Sequence, residues 1–145
     1  MTLLQKRALL SFIIGLLLTA VAVVVLISQG DITAFDRESN LRMVMYVALV
    51  GVPLVYLILV NLSLRKPVQI DERDHRVMEK SGKVQWIASI LSLVVWTIVL
   101  TEVYRESGQV PVPFLYLIFM STLIVSTLAQ SLGILLGYGR VNQNG

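Results

Sequence analysis

Residues 65–83, RKPVQIDERDHRVMEKSGK, form the only long polar segment of the chain, and apolar runs of membrane-spanning length lie on both sides of it. Six of the twelve basic residues and four of the nine acidic ones fall in this segment. A charge-free run such as residues 8–28, at about 1.5 Å per residue, spans roughly 30 Å as a helix, enough to cross a bilayer. The polar segment is then a loop between two spans. Its basic character assigns it to the cytoplasmic side, because positively charged loops are retained there.

Composition supports the same class. With 56% hydrophobic and 14% charged residues the chain is far from an ordinary soluble protein, and 145 residues allow one domain. The net charge of +3 lies between apolar runs and not on one continuous face, which favours a membrane over nucleic acid as partner. The chain has no cysteine, which excludes disulfides, thiolate metal sites and thiol redox relays.

The expected architecture is an all-α membrane protein of four transmembrane helices, at about residues 8–28, 43–63, 84–104 and 113–138, with a cytoplasmic loop at 64–83. The first run follows Lys6 and Arg7 and is too long and too bulky at its end for a signal peptide. Pro53 removes a backbone donor inside the second span and predicts a kink. Asp71 is a good cap for a helix running from Glu72 to about Tyr104, and Glu72 and Asp74 offset its dipole. Glu72 with Arg76, and Glu79 with Lys83, are spaced i, i+4 as ion pairs. Val77, Ser81, Val84, Ala88, Leu91 and Val95 make one stripe that runs out of the water and into the membrane, so the polar and apolar halves of this helix are mechanically continuous. Trp86 and Tyr104 stand about 27 Å apart along the axis, one at each interface. Ser107 and Gly108 end the helix, Pro113 opens the next, and residues 139–145 read as a loose polar tail. With both termini inside, nine basic residues are cytoplasmic and three, Arg37, Arg42 and Arg105, lie outside.

Few residues offer chemistry. Asp71, Glu72, Asp74, His75 and Glu79 are metal-type ligands, but carboxylate-bridged sites need a second Glu-x-x-His motif, and His75 is the single histidine. A solvated, salt-bridged helix start accounts for the cluster, and neither a metal nor another cofactor is expected. No catalytic motif is present, and the serines within the spans have no base nearby, so the chain is read as a non-enzyme. The spans carry no ionisable residue well inside, which disfavours an ion-coupled transporter. Ala129, Gly133 and Gly137, spaced by four, form a small-residue ridge that admits another helix closely, from this chain or a second copy.

At Asp71-Glu72-Arg73-Asp74 followed by Lys80, directly ahead of a span, the chain resembles a family of small, uncharacterised multi-pass membrane proteins of bacteria and archaea. Ser81 stands where that family often has alanine. The resemblance implies a prokaryotic inner-membrane protein and supplies no catalytic residues. The combined expectation is a protein acting by association, an accessory or regulatory subunit that presents residues 71–83 to a cytoplasmic partner, with Asp71, Glu72, Arg73, Asp74 and Lys80 at the contact. A small oligomeric transporter or channel is the alternative.

Overall fold

The computed structural model describes residues 2–29, 39–62 and 71–143. These form four helices and no strand: α1 (Leu3–Gln29), α2 (Ser39–Leu62), α3 (Glu72–Val103) and α4 (Pro113–Gln143). Three of them contain stretches long and apolar enough to cross a membrane, Leu4–Val24 in α1, Glu72–Val103 in α3 and Pro113–Gly139 in α4. The apolar part of α2, Arg42–Tyr56, is shorter. The lead from 64 to 70 into α3 and most of the connection between α1 and α2 lie outside the described residues.

Local chemistry sets the helix ends. α1 begins at Leu3, ahead of its apolar run, because Thr2 and Gln5 form a reciprocal capping box: the Gln5 amide donates to Thr2 Oγ1 at 3.2 Å and the Thr2 amide donates to Gln5 Oε1 at 2.8 Å. Lys6 and Arg7 are therefore helical residues. Asp71 caps α3 as expected, its Oδ1 accepting from the Glu72 amide at 2.7 Å. Beyond Val103 the chain turns at Gly108, whose φ of 64° is the left-handed conformation that glycine adopts without strain. Pro113 occupies the first position of α4, where its missing donor costs little.

α4 is the central element. It packs most extensively on α3, then on α1, while α2 touches α1 and α4 at only a few points. The buried apolar core is small and sits at one end of the bundle, where Leu4 and Ala8 of α1 meet Val77 of α3 and Ile134 and Tyr138 of α4. Elsewhere large apolar side chains point outward, among them Leu17, Val24, Ile87, Leu91 and Leu115. Hydrocarbon is as apolar as leucine, so such side chains gain nothing by turning inward, and helix contacts fall to small and polar residues.

One sequence expectation gives way here. The tail does not leave the helix at Gly139: α4 continues through it to Gln143. The stripe along α3 is buried only at its start. Val77 and Ser81 are buried, but Val84, Leu91 and Val95 are exposed. The face that meets α4 runs instead through Asp74, Val77, Ser81, Gln85 and Trp96.

Candidate functional site

The polar start of α3 is joined to both neighbouring helices. Tyr138, 1% exposed, donates its hydroxyl to Oδ1 of Asp74. The Arg73 guanidinium lies 5.6 Å from the centre of the same ring. One aromatic side chain on α4 thus packs in the core with Leu4 and Ala8 of α1 and bonds the first turn of α3. Hydrogen bonds to a carboxyl group of this kind are worth about 1.5–3 kcal/mol, and the cation over the ring adds about 0.5–2 kcal/mol.

The expected contact residues divide accordingly. Asp74 is buried, so it is structural and not part of an outward surface. The reason is helical spacing: Asp74 shares a face with Val77 and Ser81, three and seven residues on, and that face packs on α4. Asp71, Glu72, Arg73 and Lys80 are exposed, as are His75, Arg76, Glu79 and Lys83. Arg76 meets Glu72 at 2.5 Å and Lys83 meets Glu79 at 2.9 Å, both pairs at the surface. Each carboxyl group in the cluster thereby has a different partner: a helix amide, Arg76, Tyr138 and Lys83. Among the described residues no group of three or more histidine, aspartate or glutamate side chains is arranged to hold a metal ion.

The small-residue ridge meets α3. A Cβ on Gly133 would stand 3.0 Å from the Cα of Ser81, and one on Gly137 would stand 2.9 Å from Val77 Cγ1. Gly133 therefore admits the backbone of α3 and Gly137 the side chain of Val77, and Ala129 lies half-buried one turn further along α4. The helix between them is not lipid-facing throughout, since Ile134 belongs to the core.

Deeper in the pair, Gln85 Nε2 donates to Ser126 Oγ and Trp96 Nε1 donates to Ser121 Oγ, both at 2.8 Å. Tyr104 and Trp96 each pack edge-on against Phe114, so the seam extends to the opposite end. Tyr138, Gln85 and Trp96 were not singled out as seam residues by sequence. The available signal was the recurrence of polar residues at Ser81, Gln85, Ser92 and Trp96, one face of a helix that is otherwise apolar.

A second feature lies among α1, α2 and α4. Because α2 stands slightly apart, a cleft of about 230 Å³ opens there, with Gly15, Leu18, Val52, Pro53, Leu123 and Ile124 among its walls. Gly15 lets Leu128 approach, since a Cβ there would fall 2.8 Å from Leu128 Cδ2. The walls are almost wholly apolar.

No protein-family model, curated protein or solved structure matches this chain. What the protein does is therefore read from its own residues.

Proposed function

We propose that this is a multi-pass protein of a prokaryotic inner membrane, with four spans and both termini in the cytoplasm, that acts as an accessory or regulatory subunit by association. The contact surface is the outward face of the α3 start: Asp71, Glu72, Arg73 and Lys80, with Arg76, Glu79 and Lys83 beside them. The observation that carries this reading is the bond between Tyr138 and Asp74. It holds a charged, exposed helix start at a fixed position on the bundle, which lowers the ordering cost of presenting those charges to a partner. Fixed charges of both signs confer specificity, because a partner must match their order along the helix. α2 supplies the fourth span, from about residue 43 onward, and the excess of basic residues on the side of residues 65–83 orients the molecule.

A transport role has less support. The interiors of the described helices carry no charged side chain at mid-depth, and Thr19, Gln85, Trp96 and Ser131 use their donors between or within helices.

The test has two parts. Reporter fusions active only outside the cell should signal after Ser107 and stay silent after Asp71 and Gly145; the reverse pattern sinks the orientation. A photoreactive side chain placed at exposed His75 should give one discrete protein adduct in intact cells, and the double variant Asp71→Asn, Glu72→Gln should insert normally yet lose that adduct. An adduct only between copies of this chain, or one indifferent to the double variant, would remove the docking role.

A further inference from the structure

The cleft among α1, α2 and α4 has a charged group aligned with it. Arg7 and Leu18 are eleven residues apart on α1, about three turns at 3.6 residues per turn, so they share one stripe of the helix. Leu18 lines the cleft, and Gly15, also in its wall, lies eight residues or about 12 Å along the axis from Arg7. The Nε of Arg7 is buried and has no hydrogen-bond partner among the described residues. Lys6, a further 100° or so round the helix, is exposed on a different face. α1 thus offers a cation with unused donor capacity above an apolar opening, within a stretch apolar enough to cross a membrane.

From this alignment we propose that Arg7 and the cleft form a binding site for one anionic phospholipid of the leaflet on the N-terminal side. An acyl chain fills the space between Leu18, Val52 and Ile124, and a phosphate oxygen accepts from the Arg7 guanidinium. The volume suits the assignment. Apolar cavities of about 150 Å³ already take up benzene, and one of about 230 Å³ accommodates a length of alkyl chain but not a whole drug-sized ligand. Guanidinium is the side chain best shaped for phosphate, with several donors in a planar fork, and a long basic side chain near a span end naturally reaches the headgroup layer. The glycerol backbone of a phospholipid bridges the interval between the two. The site requires only that α1 crosses the bilayer; it is independent of which compartment faces the N-terminus and of any protein partner.

The full-length protein would be reconstituted in vesicles of equal parts phosphatidylcholine and phosphatidylglycerol, extracted in mild detergent and weighed by native mass spectrometry. The wild type should retain one phosphatidylglycerol several-fold more often than one phosphatidylcholine. Arg7→Gln should abolish that preference, whereas Lys6→Gln, which removes the same charge from another face, should leave it. Val52→Phe or Ile124→Phe, either of which fills the cleft, should lower retention of both lipids several-fold, with a melting curve to identify whichever variant folds. Equal retention of the two lipids by the wild type, equal effects of the Arg7 and Lys6 variants, or undiminished retention by a folded cleft-filling variant would each overturn the site.

Discussion

Tyr138 and Asp74, 64 residues apart in sequence, share a hydrogen bond at the buried end of the helix bundle. Tyr138→Phe keeps the ring under Arg73 but leaves the Asp74 carboxyl without this donor. The expected loss is about 1–3 kcal/mol, the cost of an unsatisfied buried group. The combined change Tyr138→Phe, Asp74→Leu should recover part of it, because no polar group is then stranded. Thermal unfolding in mild detergent measures both. A double variant whose loss equals the sum of the two single losses would show that the pair does not act as a unit.

The two ridge glycines should respond differently to a single added methyl group. At Gly133 the new Cβ meets the Cα of Ser81, which moves only with the helix, whereas at Gly137 it meets the tip of Val77, which can rotate. Gly133→Ala should cost about 1–3 kcal/mol as overpacking, Gly137→Ala less, and Leu136→Ala, on the exposed face, little. Equal tolerance of all three in a melting experiment would make the close approach irrelevant.

Within the seam, Trp96→Phe removes the donor to Ser121 and Gln85→Leu removes the donor to Ser126. Interhelical hydrogen bonds in membranes average about 0.6 kcal/mol and reach about 1.7, so each variant should weaken the α3 and α4 pair modestly. A double-mutant cycle of Gln85→Leu with Ser126→Ala should give a coupling of that size, and additive effects would argue against the contact.

Thr2 caps α1 through its hydroxyl. Thr2→Val should cost about 1–2 kcal/mol, and Thr2→Ser should be nearly neutral, because only the hydroxyl is used. Amide exchange in the first turn of α1 should rise in the valine variant alone. Comparable exchange in the two variants would mean that the cap contributes nothing.

The sequence by itself determined the helical class, the approximate places of the helices and the start and stop of α3. Those features rest on local rules: long uncharged runs demand helices, Asp71 offers a cap at a fixed spacing, and Gly108 supplies the left-handed turn. It also singled out Gly133 and Gly137 as small residues spaced for close approach, though not Ser81 and Val77 as what they approach. Tertiary structure alone decided which way the charges face. Asp71, Glu72 and Asp74 are equivalent as helix-start carboxylates in sequence, yet only Asp74 turns inward, because the azimuth of α3 against α4 is set by Ser81 seating on Gly133. The inward face of α3 differs from its apolar stripe for a related reason. In lipid an apolar stripe does not mark the buried side, so Leu91 and Val95 point out while Gln85 and Trp96 point in. The alignment of Arg7 with the cleft depends on the gap left by α2, which no local signal in α1 encodes.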